Sequence, residues 1–316
     1  MKPKRLPSRI FKYRAFSSRA LDMLVGDQLY FADPRDFNDP LDSKPTLDAD
    51  VSNDDLEEIL SRLVEQRIKL EMNTAASSLM YRGPKTVDHI FRHTQKRVDS
   101  LLSEIRYNAD NPFYDSEDPL RLLFTQYLED ELLRRYDGGI VSFGERVTCP
   151  VMWSHYGDQH RGLCAGYSIS SAKNANLNKI AYKGSRNVKA SDVAVMDTDP
   201  AAKRRVDEAV LLRKARSWSY EKEWRLIGQR GAQDSPLKLE EVVFGIRCSS
   251  VVKYTVAKAL ENRPRPVQFY EMCEKYGTFQ LSRRRLDIDE LNVGMPRDTL
   301  SLLEAFDGLN IDEPPK

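Results

Sequence analysis

The first part of the chain alternates short hydrophobic runs with polar turns. Residues 10–16 alternate apolar and polar side chains with a period of two, which predicts a strand. A serine at position 17 or 18 then caps a short helix that ends at Gly26. A second strand is predicted at residues 29–32, before a loop that is rich in proline and aspartate.

The hydrophobic period becomes helical between residues 50 and 136. Three amphipathic helices are predicted in this stretch, and Asp118, followed by a proline, marks the start of the third. We interpret residues 50–136 as a helical insertion in a single α+β domain that covers residues 8–290. Residues 291–316 then form a peripheral C-terminal segment, with a helix expected at 296–306.

Short apolar strands return after the insertion and alternate irregularly with helices. Strands are predicted at residues 139–143, 162–169, 180–182, 242–245, 267–272 and 278–284, and helices at 199–214 and 249–262. This order predicts an α+β fold with a mixed, largely antiparallel sheet rather than a doubly wound sheet. No glycine-rich loop has the spacing of a Rossmann or P-loop nucleotide site, so neither is predicted.

The composition narrows the class of protein only slightly. The 316 residues carry 49 basic and 48 acidic side chains, and a net charge of +1 gives no overall argument for nucleic-acid or membrane binding. The four cysteines and four histidines lack zinc-ligand spacing, and no metal is expected. No apolar run approaches the ~18 residues that span a bilayer. No secretory signal is recognised either, so a cytoplasmic protein is expected.

The tryptophans lie in two short stretches. Trp153 precedes Ser-His-Tyr, and Trp218 and Trp224 flank a pair of glutamates. Clustered rings are suited to stack a flat base or nicotinamide, but an aromatic core is the alternative interpretation. His155 is a candidate general base or ring-binding donor, and its alternative role is a structural hydrogen bond. Tyr156 lies beside it and is a further candidate ligand contact.

The acids of the early loop allow a third interpretation of the chemistry. Asp36, Asn38 and Asp39 together with His155 would suit a metal-assisted hydrolase of nucleotides or nucleic acid. The loop lacks the regular oxygen-ligand spacing of an EF-hand. Side chains that bond their own backbone explain the same residues as a rigid turn, and we favour that explanation.

Glu221 and Glu223 carry the sharpest chemical hypothesis. In a strand their side chains would share one face, because side chains alternate with a period of two. A carboxylate aimed at a ribose can stabilise an oxocarbenium-like transition state. Arg14 on the first strand is a candidate to hold a pyrophosphate by paired hydrogen bonds. The alternative is an exposed acid pair matched to Lys222 and Arg225, worth about 0–1 kcal/mol.

Several motifs together resemble one bacterial family, the domain-of-unknown-function family numbered 2971. The motifs that carry the resemblance are Phe-Lys-Tyr-Arg at 11–14, the run ending Phe-Asn-Asp-Pro at 29–40, Met-Trp-Ser-His-Tyr-Gly at 152–157, Trp-Ser-Tyr-Glu-Lys-Glu-Trp-Arg-Leu-Ile at 218–227 and Val-Val-Phe-Gly at 242–245. They cover residues from about 10 to 286.

The layout is also similar to that of ADP-ribosyltransferases, which place an arginine or histidine on a first strand, a serine or threonine on a second strand, and a Glu-x-Glu or Glu motif before an apolar strand. Tyr13, Arg14, Ser142, Trp153, Tyr156 and Trp218 would bind NAD in that arrangement, and Glu223, Glu221 and His155 would be catalytic. The resemblance implies loss of nicotinamide and transfer of ADP-ribose to a protein or nucleic-acid acceptor. Glu223 would stabilise the ribosyl cation, and Glu221 would orient the acceptor.

The resemblance also suggests a biological setting. It implies a toxin or phage-defence effector with a defence-system or antitoxin partner. The Ser-Thr-Ser triplet of the pattern is absent, which leaves Ser142 as a partial match. A non-enzymatic module remains the alternative, in which the same aromatic and basic residues sense a ligand and the helical insertion binds a protein.

Overall fold

The computed structural model describes residues 7–81, 83–111, 116–136, 138–169 and 176–297. The strands are β1 (Arg9–Arg14), β2 (Gln28–Phe31), β3 (Thr46–Asp48), β4 (Gly139–Gly144), β5 (Leu163–Ser168), β6 (Leu177–Lys179), β7 (Asn187–Lys189), β8 (Glu223–Gly228), β9 (Gly231–Asp234), β10 (Lys238–Phe244), β11 (Gln268–Glu274) and β12 (Leu281–Arg285). The α-helices are α1 (Ser18–Val25), α2 (Asn53–Ser78), α3 (Pro84–Ala109), α4 (Pro119–Arg135), α5 (Pro150–Tyr156), α6 (Ala190–Val195), α7 (Pro200–Leu211), α8 (Ser250–Leu260) and α9 (Ile288–Val293). Two 3-10 helices cover Pro34–Asp36 and Arg216–Glu221.

A central sheet of eight strands organises the described part of the chain. The strand order is β12-β11-β10-β5-β1-β4-β8-β6, and every neighbouring pair is antiparallel except β10 and β11. The predicted α+β class with a mixed, largely antiparallel sheet is therefore confirmed. The likeness to ADP-ribosyltransferases stays a prediction.

The structure has the three predicted helices, and they pack against helices that come later in the chain. Helices α2, α3 and α4 lie within residues 53–135, and Asp118 caps α4 by accepting a hydrogen bond from the backbone N–H of Arg121. Their buried face shares one hydrophobic core with α6 and α7, to which Val193 and Val206 belong. The hydrophobic core of the helical layer therefore includes residues of α6 and α7, which lie outside the predicted insertion. The division into one domain with an insertion stays a prediction.

Two local predictions need correction or fall outside the described residues. The strand predicted at 180–182 is wrong, because the ladder next to β8 is formed by residues 177–179 and Ala181 makes only an isolated bridge. At the C-terminus α9 ends at Val293. Of the predicted helix at 296–306, all but its first two positions lie outside the described residues.

A split in the central sheet determines where a ligand can enter. Strand β1 pairs with β5 along its whole length, and β4 pairs with β8 along its whole length. Between β1 and β4, by contrast, the only register contact is Phe11 opposite Gly144. Beyond that point Ala32, just after β2, takes the edge of β4 by exchanging backbone hydrogen bonds with Ile140 at 3.0 and 2.9 Å. The separation of the strands opens a cavity in the sheet.

Candidate active site

The cavity between β1 and β4 has a volume of about 400 Å³. Its walls come from β1, the end of β2, the loop that follows β2, β4, α5, and the segment from α7 to β8. The lining residues are Phe11, Lys12, Tyr13, Arg14, Tyr30, Ala32, Asp36, Phe37, Asn38, Asp42, Ile140, Ser142, Phe143, Gly144, Met152, Tyr156, Lys214, Glu221 and Glu223. This volume lies within the range of small-molecule sites, roughly 300–1,000 Å³.

Six of the nine residues predicted for the site line this cavity. They are Tyr13, Arg14, Ser142, Tyr156, Glu221 and Glu223. The other three do not. Trp153 is fully buried behind the wall, with its ring edge against Tyr13 at a centroid distance of 5.1 Å. Its indole N–H donates to the carbonyl oxygen of Val147, so Trp153 supports the wall and cannot stack on a ligand.

His155 and Trp218 belong to an aromatic group outside the cavity. His155 is exposed, and its Nδ1 lies 3.0 Å from the hydroxyl oxygen of Tyr220. The indole N–H of Trp218 donates to Asp39 at 2.7 Å, which fixes the early loop rather than a ligand. His155 is i+4 from Val151, whereas Met152 and Tyr156 occupy the side of α5 that faces the cavity. His155 therefore does not line this cavity, and a catalytic role for it stays a prediction.

The backbone conformation that brings the two glutamates to the cavity differs from the predicted strand. Glu221 ends a 3-10 helix, Lys222 adopts a left-handed conformation with φ of 46°, and Glu223 begins β8. The glutamates therefore share a wall because the chain reverses at Lys222, and not because a strand alternates. Gly144 permits the approach, since a Cβ there would lie 3.1 Å from the backbone oxygen of Glu221.

One lysine holds three carboxylates at the floor of the cavity. The Nζ atom of Lys214 lies 2.8 Å from Glu221, 3.1 Å from Glu223 and 3.2 Å from Asp42. The side chains of all four are almost fully buried, with at most 6% exposed. Buried charges at this depth are stable only when they are paired and hydrogen-bonded. We refer to Asp42, Lys214, Glu221, Glu223 and Arg225 as the buried charge cluster.

Arg225 completes the buried charge cluster from beneath. Its Nε donates to Glu223 at 2.8 Å and its Nη2 to both oxygens of Asp42 at 2.7 Å. Nη1 donates to the hydroxyl of Ser43 and to a backbone carbonyl. The side chain is 0% exposed. Of the expected pairing with Arg225, Glu223 alone makes the contact, and it is buried rather than at the surface.

The two glutamates experience opposite electrostatic environments. Burial alone would raise the pKa of Glu223, but the cations of Arg225 and Lys214 outweigh it and lower that pKa to about 2. Burial raises the pKa of Glu221, and Lys214 offsets this only in part because the Glu223 carboxylate repels the charged form. Tyr156 donates a hydrogen bond of 2.7 Å to Glu221. A pair of carboxylates with separated pKa values is the pattern of an acid–base pair.

The low pKa of Glu223 predicts a specific acid sensitivity. Its folded pKa of about 2 lies below the ordinary value of 4.5, so the stability it contributes is present above 4.5 and lost as the pH falls toward 2. We expect the wild type to lose more free energy of unfolding between about pH 6 and pH 3 than Glu223→Gln, which lacks this titration. Urea titrations at the two pH values measure the difference. An equal loss in both proteins would contradict the assignment.

Lys12 and Arg14 present positive charge from the opposite wall. They are two residues apart on β1 and therefore project to the same side of the strand. Both are half-buried, and neither makes a side-chain hydrogen bond or ion pair with any described residue. Burial, followed by the nearby Arg14 cation, lowers the pKa of Lys12 to about 8. Burial also lowers the pKa of Arg14. Such unpaired cations in a cavity are suited to an anionic ligand.

Sequence reasoning missed three residues that the structure places at this site and assigned a fourth to the surface. Lys12 carried a usable signal, since it shares the period-two alternation of β1 with Arg14. Asp42 and Lys214 lie in irregular segments far apart in sequence, and only the tertiary fold brings them together. Arg225 was noticed, but only as a surface partner. Its burial follows from its position inside the hydrophobic strand β8.

Two general features of the described residues bear on cofactors and membranes. Within residues 7–297, omitting the gaps stated above, no group of three or more His, Cys, Asp or Glu side chains is arranged to hold a metal ion. The helices over the same residues are all too short or too polar to cross a bilayer.

Asp36 and Asn38 of the early loop line the cavity, and Asn38 donates to the Tyr156 hydroxyl at 3.3 Å.

Comparison with known proteins finds a match to one family model over part of the chain. No curated protein and no solved structure matches the chain significantly. The segment from Met152 to Leu226 contains part of the cavity wall, both glutamates and Arg225. Over these residues, 152–226, the chain matches the family described as "Protein of unknown function (DUF2971)", which confirms the resemblance to that family seen in the sequence.

Proposed function

We propose that the chain is an ADP-ribosyltransferase-like enzyme that cleaves NAD and transfers ADP-ribose to a macromolecular acceptor. One observation carries the proposal: a pair of carboxylates with separated pKa values faces two unpaired cations across one cavity. The cations suit the diphosphate of a dinucleotide, and the carboxylates suit the ribose beside it. Modification of a host macromolecule is the chemistry that a toxin or phage-defence effector would use.

The glutamates divide the chemical work in this proposal. The bond between ribose C1′ and the nicotinamide nitrogen breaks, and its electron pair leaves with nicotinamide. Glu223, ionised because its pKa is about 2, provides negative charge for the ribosyl cation. Glu221 orients the acceptor and takes the proton that the acceptor loses when its nucleophilic atom bonds to C1′. The products are nicotinamide, the ADP-ribosylated acceptor and one proton.

The walls of the cavity would hold the remainder of the ligand. Lys12 and Arg14 would bind the diphosphate. Tyr13 lies between them in sequence and packs against the buried ring of Trp153. The ring of Tyr156 and the apolar side chains of Phe11 and Met152 offer contacts to the nicotinamide and ribose. A volume of about 400 Å³ accommodates the nicotinamide riboside end and the adjoining phosphate, while the rest of NAD extends through the mouth.

Lys12 makes NAD binding dependent on pH in a defined direction. Above about pH 8 the ammonium loses its proton, so the affinity for a diphosphate should fall as the pH rises through that value. We expect Lys12→Met to bind NAD about tenfold more weakly at pH 7 than the wild type, and Lys12→Arg to retain binding at pH 9. Calorimetric titration with NAD at both pH values measures this. Lys183→Met, at an exposed position, serves as control. An equal loss of NAD affinity in that variant would contradict a role for Lys12 in binding.

A transfer assay tests the proposed function as a whole. NAD labelled in its adenine moiety is incubated with the protein and a bacterial extract, and label is counted in the protein and nucleic-acid fractions. The proposal predicts incorporation that depends on Glu221. Absence of both incorporation and nicotinamide release with folded wild-type protein would contradict it.

A ligand sensor without turnover is the second candidate function, and one observation favours it. Both carboxylate oxygens of Glu223 are already engaged by Arg225 and Lys214, as in a purely structural charge network. A sensor would bind NAD saturably and release no nicotinamide over hours. Calorimetry combined with chromatography of the same samples separates the two functions.

A further inference from the structure

The first half of α3 concentrates basic side chains on its solvent side. We name these residues the α3 basic face: Lys85, His89, Arg92, His93, Lys96 and Arg97. At about 100° per residue, all six fall within an arc of about 140° on the helix. The buried side of the same turns carries Ile90, Thr94 and Val98, which pack away from solvent.

The α3 basic face has little internal charge compensation. Asp88 is the one acid between positions 85 and 97, and it pairs with Arg92, while Asp99 borders the face beside Arg92 and Lys96 without an ion pair to either. The other five side chains make no ion pair or hydrogen bond with any described residue. All six are exposed. The near-neutral charge of the whole chain therefore conceals a local positive surface, whereas isolated surface charges are normally interspersed with charges of the opposite sign.

We propose that the α3 basic face binds the phosphodiester backbone of a nucleic acid. From Lys85 to Arg97 the face extends about 18 Å along a straight helix, at about 1.5 Å per residue. Phosphates follow one another every ~3.4 Å along the axis of a single strand of a duplex, so the face can contact several of them. A row of lysines and arginines without base-reading partners gives affinity that depends on salt rather than on sequence.

The distribution of apolar side chains favours nucleic acid over a lipid surface. A helix that lies on a membrane buries apolar side chains that border its cationic ones. On α3 the exposed Val87 and Phe91 lie outside the basic arc, and Lys69 of α2 lies over the Phe91 ring at 6.0 Å. The α3 basic face itself is entirely polar.

This binding surface is independent of the cavity and of the reaction proposed there. Its residues belong to the helical layer, and none of them lines the cavity between β1 and β4. Nucleic-acid binding can therefore be measured without NAD, and its failure would leave the proposed enzymatic function untouched.

Fluorescence anisotropy with labelled oligonucleotides tests the inference. The probes are a 20-nucleotide single strand and the corresponding duplex, titrated with full-length protein at several salt concentrations from about 50 mM upward. The test variant Lys85→Gln/Lys96→Gln/Arg97→Gln removes three charges from the α3 basic face. The matched control Lys44→Gln/Lys183→Gln/Arg186→Gln removes three exposed charges elsewhere.

The expected results are specific. The wild type and the control bind the probes alike, and the test variant binds at least tenfold more weakly at about 50 mM salt. Its slope of log K against log salt becomes shallower by about 2, because each lost phosphate contact removes 0.7–0.9. Absence of wild-type binding at that salt overturns the proposal. So does an equal loss in the control, or binding by the face to phosphatidylserine vesicles but not to either oligonucleotide.

Discussion

Replacement of Glu221 by glutamine should lower the rate of nicotinamide release about 10²–10³-fold with little change in stability. Glutamine preserves the size of the side chain and the hydrogen bond from Tyr156, but it cannot accept a proton. General-base catalysis by a positioned carboxylate typically contributes about 10²–10⁴-fold. The kcat for nicotinamide release, measured by chromatography with NAD in excess and acceptor-containing extract present, reports the loss.

A matched variant and a binding measurement protect this test from misinterpretation. Glu58→Gln changes an exposed glutamate on α2 and should leave kcat unaltered. Glu221→Gln should still bind NAD within about threefold of the wild type, because Lys12 and Arg14 are intact. An unchanged kcat in Glu221→Gln would assign Glu221 to the structural network alone.

Replacement of Arg225 by methionine should have the largest effect on folding. The change leaves Asp42 and Glu223 buried, with only Lys214 to compensate both. Removal of one partner from a buried charge network costs about 3–5 kcal/mol. We expect a loss of that size in the free energy of unfolding, measured by urea titration at about pH 7. Arg216→Met, at an exposed position, should change it by less than about 0.5 kcal/mol.

The same network determines how Glu223→Gln must be interpreted. Glu223 accepts hydrogen bonds from Arg225 and Lys214, so its neutralisation weakens both the fold and any catalytic electrostatics. A loss of activity in this variant is informative only when it is corrected for the folded fraction. Glu221, which contacts Lys214 and Tyr156 but not Arg225, separates chemistry from stability more cleanly.

The elements that the sequence predicted correctly are those whose signals are local. Period-two alternation gave β1, and the pairing of Asp118 with a following proline gave the start of α4. The irregular order of strands and helices indicated the α+β class. The signals for β1 and for the start of α4 depend on residues that are close in sequence, and tertiary contacts did not override them.

The site was predictable only where its residues lie on regular elements. Arg14, Ser142 and Glu223 are on strands that border the cavity, and all three line it as expected, although Ser142 was expected only from the resemblance. Lys214 and Asp42 meet across 172 positions of chain, and no pattern in the sequence marks that contact. The convergence of the glutamates was predicted for the wrong reason, because a left-handed residue at Lys222 has no reliable sequence signal.

Two of the three tryptophans misled the prediction most clearly. Trp153 and Trp218 suggested a stacking pocket, but one fills the core and the other anchors a loop through Asp39. Large aromatic side chains contribute mainly by burial, and a sequence does not distinguish a buried ring from one that lines a cavity. The cavity is instead lined by phenylalanine and tyrosine rings, smaller apolar residues and charged side chains.

Nicotinamide release from NAD and from nicotinamide riboside tests the central claim most directly. The riboside has the scissile bond but lacks the diphosphate that Lys12 and Arg14 would bind. With acceptor-containing extract present, the wild type should release nicotinamide from NAD at least about 10²-fold faster than from the riboside, since charge-assisted contacts contribute about 1.5–3 kcal/mol each. Folded wild-type protein that releases nicotinamide from neither compound, or equally from both, would contradict a cavity built to cleave NAD.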